Sequence, residues 1–474
     1  MISFACCLIF LIAGYFIYGR FIERVFGIDP HRKTPAYELR DGVDYVPMPA
    51  WRVFMIQFLN IAGLGPIFGA IMGAKFGVAS FLWIALGTVF AGATHDFIAG
   101  MLSLHHRGES LPEMTGRYLG KNFKQFMRIF TVVLMVLVGS VFVAGPAGLL
   151  ANLTVESLDT TFWIIVIFIY YLIATLLPVD KIIGKIYPLF GAALLFMALG
   201  ILFMLFFLHP DLPEFTEGLR SADPRGLPVF PIMFVSIACG AISGFHATQS
   251  PMMARTIKNE KYGRPVFFGA MVAEGIVALI WAAAATAFYQ ENGIEESNAA
   301  VIVDAITKDW LGKVGAVLAI LGVIAAPVTT GDTAFRSARL IVADFLHWEQ
   351  KSIRRRILIS IPVFLAGIGL LLYSMKDKDG FDMIWRYFAW MNQTLAIFTL
   401  WALTVYLVKE KKCYWVTLIP AVFMTAVCSS YIFIAPEGFA LDKDLSWLLG
   451  GIITLGTLGF FIYWKVKRSV SKVV

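Results

Sequence analysis

Charged side chains are scarce in this sequence. Asp, Glu, Lys and Arg together make up 15% of its 474 residues, where a soluble domain carries about 25%. A water-facing globule of this length is thereby excluded. Cysteine is rare too: Cys6, Cys7, Cys239, Cys413 and Cys428 show no metal-ligand spacing and mostly sit within apolar runs. They read as small buried hydrophobes rather than disulfides or metal ligands. Hydrolase and nucleotide motifs are missing as well. There is no nucleophile elbow, P-loop, HExxH pattern or dinucleotide fingerprint, and Gly63-Leu64-Gly65 followed by Pro66 makes no phosphate loop. The net charge of +7 contains no block resembling a nucleic-acid arm. The chain is expected to be no enzyme, to hold no resident cofactor and to bind no nucleic acid. With no nucleotide domain, any work it does draws on an ion gradient or a downhill substrate.

What is present is apolar. Hydrophobic residues form 59% of the chain, and mean hydropathy is +0.76. Lipid admits only helices or closed barrels. These runs are too long and continuous for barrel strands, which alternate over about 10 residues. The expected fold is an all-α polytopic membrane protein. Thirteen apolar segments fall at about 2–19, 51–74, 78–103, 125–151, 161–178, 186–208, 227–249, 264–290, 311–335, 356–375, 382–408, 413–435 and 445–466. The first, lacking a basic leader and a small-residue cleavage pattern, reads as a retained span rather than a signal peptide.

Lys and Arg alternate between successive connections. Basic clusters such as Arg20 to Arg52, Arg107 to Arg128, Lys181 and Lys185, Arg255 to Arg264, Arg336 to Arg356, Lys409 to Lys412 and Lys465 to Lys472 hold 30 of the 39 basic residues. The opposite connections are acidic: Glu156 and Asp159, Asp211 to Asp223, Glu291 to Asp309, and Glu437 to Asp444. Positive charge stays on the cytoplasmic side. The N-terminus is therefore expected outside and the C-terminus in the cytoplasm, as an odd number of spans requires.

Two segments carry interruptions. Asn60-Ile61-Ala62-Gly63-Leu64-Gly65-Pro66 lies at the centre of the second, where glycine is costly and proline removes a backbone donor. The seventh contains Gly240-Ala241-Ile242-Ser243-Gly244-Phe245-His246-Ala247-Thr248-Gln249-Ser250-Pro251. A break at membrane depth is either a packing kink or a binding site, because freed backbone groups need partners. These two lie five spans apart on oppositely directed helices, which points to an inverted five-plus-five repeat with its site at the centre. The expected division is 51–208 and 227–408 for the repeats. Residues 1–50 form a peripheral first span and loop, and 413–474 peripheral C-terminal helices with a short tail.

Polar residues within the spans supply the candidate chemistry. Gln57 and Asn60 share a helical face before the first break. Thr329, Thr330 and Asp332 follow Ala326 and Pro327 in the ninth segment; they offer hard oxygen ligands to a small cation, or back-bond their own helix. His95 and Asp96 sit where an unpaired charge is expensive, and form either a structural pair or a proton relay. Glu274 and Arg386 are expected to neutralise structural neighbours, and His105-His106 to be solvated.

Several stretches resemble the carbon starvation protein A family of bacterial membrane transporters. They are Asp41-Gly42-Val43-Asp44-Tyr45-Val46-Pro47, Ile61 to Pro66, Val89 to Phe97, Gly108-Glu109-Ser110-Leu111-Pro112-Glu113 and Ile237 to Ala254. The resemblance implies uptake of peptides, or of pyruvate in some relatives, under nutrient limitation across the bacterial inner membrane. It also implies the leucine-transporter-like fold of the amino acid–polyamine–organocation superfamily, whose sodium-coupled members hold an ion between the first broken helix and the eighth. Carried over, that site would use carbonyls near Ala62 and Leu64 with Ala326, Thr329 and Thr330.

The resulting expectation is an ion-coupled secondary transporter for peptides or small carboxylates working by alternating access. Its substrate site would comprise Asn60, Gly63, Gly65, Gly240, Ser243, Gly244, His246 and Gln249. Sodium would bind at the threonine site, or protons would pass through His95, Asp96 and Asp332. A membrane-embedded sensor or enzyme without flux is the rival. Oligomeric state is left open, and the lipid bilayer is the partner common to every reading.

Overall fold

The computed structural model describes residues 1–176, 183–293, 299–349, 352–376 and 380–470. Lys181, Lys351 and Lys472, counted above among the basic residues, lie outside them. The described chain is helical, with one isolated bridge pairing Met48 and Ile257. It opens with α1 (Ile2–Phe16) and α2 (Tyr18–Phe26), then a short α3 (Pro35–Glu38). Next come α4 (Ala50–Ile61) and α5 (Gly65–Ala74), followed by α6 (Val78–Leu86) and α7 (Ala93–His105) joined through a π-turn at Gly87–Gly92. After α8 (Leu111–Leu119), the helices α9 (Lys121–Leu153), α10 (Thr160–Leu176) and α11 (Ile183–Leu208) complete the first half.

The second half begins with a π-turn at Val229–Met233, a single turn α12 (Phe234–Ser236) and α13 (Gly244–Ala254). It continues through α14 (Gly269–Asn292), α15 (Ala299–Ala319), α16 (Ala325–Leu346), α17 (Ile353–Ser374) and α18 (Gly380–Lys409). Helices α19 (Trp415–Ile434) and α20 (Lys443–Val470) close the described chain.

Among the described residues, nine helical stretches are long and apolar enough to cross a membrane, ten if the bent pair α4–α5 counts as one. These are ten of the thirteen expected segments. The other three are helical but depart from a plain apolar rod. The fifth is short at Thr160–Ala174, the seventh is cut after Ser236, and the ninth carries Asp332, Arg336 and Arg339 along α16. One expectation needs correction: the connection from Glu291 to Asp309 is not all loop, because α15 starts at Ala299. That helix is kinked at Gly312, whose φ of +57° an L-residue tolerates poorly.

Contacts between loops fix which ends lie together. Glu214 receives the Met1 ammonium, the amides of Ile2 and Ser3 and the Ser3 hydroxyl. On the opposite face, Glu260 meets Arg32 at 3.4 Å and His105 at 3.0 Å, while Lys412 bonds the Phe26 carbonyl. The N-terminus thus meets the acidic connection at Glu214, while four of the basic connections meet one another around Glu260 and Lys412. His105 is accordingly not solvated, and His106 bonds the Tyr118 hydroxyl at 2.9 Å.

Burial separates core from periphery. The most apolar window of the α14 stretch is 89% buried and that of α6–α7 is 83%, against 33% for α1–α2 and 22% for α20. The bent pair α4–α5 therefore sits against the buried α14. Several of the residues singled out in the sequence, His95, Asp96, His246 and Glu274 among them, gather around that centre.

Candidate functional site

The site is built on two places where winding stops. Helix α4 ends at Ile61, Ala62 leaves the helical region (ψ 45°), and winding resumes at Gly65 with Pro66 in the first turn. The axes of α4 and α5 differ by 46°. Proline suits a first helical turn because its missing donor has no intrahelical acceptor there. In the second place α12 ends at Ser236 and α13 begins at Gly244, after an extended Ser243.

The two interruptions touch. A Cβ on Gly65 would fall 2.3 Å from Cys239 Sγ, so only glycine allows this approach. A Cβ on Gly244 would fall 2.3 Å from the Ala396 amide of α18. The same crowding holds at Gly63 (Phe142 and Thr330) and Gly240 (Ala278). The glycines expected to bind substrate therefore also set how closely the broken segments pack.

Asn392 of α18 holds the second interruption in shape. Its Oδ1 accepts from the Ser243 hydroxyl at 3.0 Å and from the Phe245 amide at 2.8 Å. Its Nδ2 lies 3.5 Å from Cys239 Sγ. Thr88 adds a bond from its hydroxyl to the Gly240 carbonyl at 2.9 Å. Neither residue was picked out from the sequence, although adjacent Asn392-Gln393 in an apolar helix is the kind of polar pair that marks such a role.

Around this frame runs a chain of titratable side chains, all fully buried. Asp96 Oδ1 lies 2.8 Å from His95 Nδ1, and Asp96 Oδ2 lies 2.8 Å from His246 Nδ1. Beyond His246, Nε2 stands 3.4 Å from Glu274 Oε2. Glu274 was expected to be structural, and here it ends the row. An ionised Asp96 accepts from both rings and fixes each with hydrogen on Nδ1. That leaves His246 Nε2 directed at the Glu274 carboxyl. Asp96 bonds both rings, while His95 Nε2, His246 Nε2 and both Glu274 oxygens are buried without a hydrogen-bond partner among the described residues, a costly arrangement for groups of this kind.

Other expected residues go elsewhere. Asp332 bonds the Tyr187 hydroxyl at 2.8 Å, and Tyr187 also reaches the Thr329 carbonyl; Asp332 is thus in a second cluster. The Thr329 hydroxyl donates to the Ala326 carbonyl at 2.7 Å. That of Thr330 lies within reach of both Ala326 and Leu59 carbonyls, tying α16 to α4. Arg386 faces Glu437 at 3.3 Å, away from the centre. Gln249 donates to Thr248 at 3.0 Å.

Gln57 and Asn60 stand apart. Both are fully buried, and none of their four amide atoms has a hydrogen-bond partner among the described residues. Unsatisfied amides at such depth cost about 1–3 kcal/mol each. With the Glu274 carboxyl, whose two oxygens are likewise unbonded, they are polar groups at this site that a guest could satisfy.

Comparison with known proteins bears on family and fold. A peptide transporter CstA from Campylobacter jejuni is 27% identical over 87% of this chain and 76% of its own. The pyruvate/proton symporter BtsT of Escherichia coli is 29% identical over 59% of this chain and 48% of its own. Among solved structures, a manganese transporter from Eremococcus coleocola superposes with TM-score 0.60 at 14% identity, covering 91% of this chain and 99% of that one; the fold is shared. Residues 1–157, 147–309 and 297–430 match the family described as carbon starvation protein CstA. The chain belongs to that family of membrane proteins.

Proposed function

We propose that the protein is a proton-coupled secondary transporter that moves small carboxylates or short peptides by alternating access. The observation that carries this reading is the buried row His95–Asp96–His246–Glu274. Two of its members sit on α7, one on α13 just after an interruption, and one on the core helix α14. An imidazole with a carboxylate at each ring nitrogen can take a proton on one side and release it on the other. Because His246 rides on an interrupted helix, its protonation would change the balance between two arrangements of that helix.

The substrate carboxylate would lie at the N-terminal ends of α5 and α13, where helix ends favour negative charge. Asn60, with Gln57 beside it, would bond the substrate's polar atoms. Gly63, Gly65, Gly240, Ser243, Gly244 and Gln249 would shape the same space. On this reading α4 to α11 and α12 to α18 are the inverted halves, with the N-terminus outside and the C-terminus in the cytoplasm. The relatives named peptide transporter and pyruvate/proton symporter support both substrate classes and the proton. Sodium at Ala62, Leu64, Ala326, Thr329 and Thr330 is the second reading. It is favoured by the Thr330 bond across to Leu59, which already joins the two helices that such an ion would join.

Proteoliposome uptake of radiolabelled pyruvate and of a dipeptide, with proton and sodium gradients imposed separately, tests the proposal. Uptake of one substrate driven by an inward proton gradient alone is expected. Sodium-driven uptake would select the second reading. No uptake under either gradient would remove the transport role.

A further inference from the structure

The periphery holds a feature unrelated to transport chemistry. Between α18, α20 and the loop end of α9 runs an aromatic groove of about 470 Å³, lined by Phe123, Phe398, Trp401, Phe460, Phe461 and Trp464. It opens toward the membrane, with Phe460 73% exposed. Two cations stand at its basic-face end over rings that line it: Lys409 lies 5.2 Å from the Tyr118 ring, and Arg468 lies 5.8 Å from the Trp464 ring.

The dimensions are those of one lipid leaflet. From Arg468 down α20 to Gly456 is about 18 Å, and from Lys409 down α18 to Phe398 about 16 Å, at helical rise. Half the hydrocarbon core of a bilayer is about 15 Å. A ligand that is apolar for that length and anionic at its end matches both the rings and the two cations over them. Basic residues beside a membrane helix attract anionic headgroups in this way. We propose that the groove seats one anionic phospholipid of the leaflet on the basic face, its acyl chain along α20 and its phosphate between Lys409 and Arg468.

The test is titration of the delipidated full-length protein with phosphatidylglycerol and phosphatidylcholine of identical chains, read by native mass spectrometry. Phosphatidylglycerol should bind at least tenfold tighter. Lys409→Ala/Arg468→Ala should reduce it to the phosphatidylcholine level and leave phosphatidylcholine unchanged. Gly456→Leu should weaken both at least tenfold, since a Cβ there meets nothing within 4 Å and the added side chain projects into the open. Melting temperatures confirm that each variant folds, and Lys409→Gln carries the same sign should the double variant fail. Equal binding of the two lipids by the wild type would overturn the proposal. So would phosphatidylglycerol binding indifferent to all variants, or a dimer that the groove variants dissolve.

Discussion

His246 stands 2.8 Å from Asp96, 150 positions away in sequence and on a different helix. One carboxylate thereby joins two imidazoles, and the far side of His246 faces a second carboxylate. Replacing Asp96 with asparagine keeps the shape and removes the charge both rings share. Asp96→Asn should lower proton-driven uptake at least a hundredfold, while substrate exchange at equal pH falls only a few-fold. Uptake and counterflow in the same vesicles separate the two. If both collapse together while the protein still melts normally, Asp96 serves binding rather than coupling.

Asn60 offers a contrast between stability and function. Its amide atoms have no partner among the described residues, so Asn60→Leu should raise stability by about 1 kcal/mol. The same change should raise KM for the transported substrate at least tenfold. Thermal unfolding in detergent and uptake kinetics read the two effects. A variant that is destabilised and transports normally would show that Asn60 is an ordinary packed amide.

Gly65 and Cys239 should be coupled. Gly65→Ala forces a methyl to within 2.3 Å of the Cys239 side chain, which costs about 1–3 kcal/mol as overpacking. Cys239→Gly removes the obstructing atoms, and the next atom stands at 3.8 Å. The double variant should therefore be more stable than the sum of the single effects requires, by about 1 kcal/mol or more in a double-mutant cycle. Strict additivity would mean that the two interruptions do not touch.

Glu214 gives a pH dependence outside the membrane. The Met1 ammonium and then the Ser3 hydroxyl hold its carboxyl down at about 2 from an ordinary 4.5. A depressed carboxylate stabilises the fold above 4.5, and that contribution fades as pH falls through about 2. The melting-temperature gap between wild type and Glu214→Gln should thus be constant from pH 4.5 to neutral pH, where the ammonium keeps its charge, and close toward pH 2. The effect is small, because the pair is exposed enough for solvent to screen it. A gap that widens on acidification would reverse the assignment.

Much of this was legible in the chain itself. Long apolar runs set an all-helical membrane protein, because lipid enforces helix formation through solvation of single residues. The stop at Ile61 and the start at Gly65 were readable too, since proline and glycine act on their own backbone. The seventh and ninth segments show the limit. Their polarity announced a role, but not that Asp332 would turn to Tyr187 while His246 turned to Asp96.

Local chemistry determined where helices form and where they break; those are consequences of a residue and its near neighbours in a known solvent. Tertiary structure alone decided that Glu274 ends a buried row of titratable side chains, that Asn392 braces a segment 149 positions away, and that the amides of Gln57 and Asn60 find no partner among the described residues. The physical reason is distance: a hydrogen bond needs atoms about 3 Å apart. Only the packing of separate helices brings such residues that close.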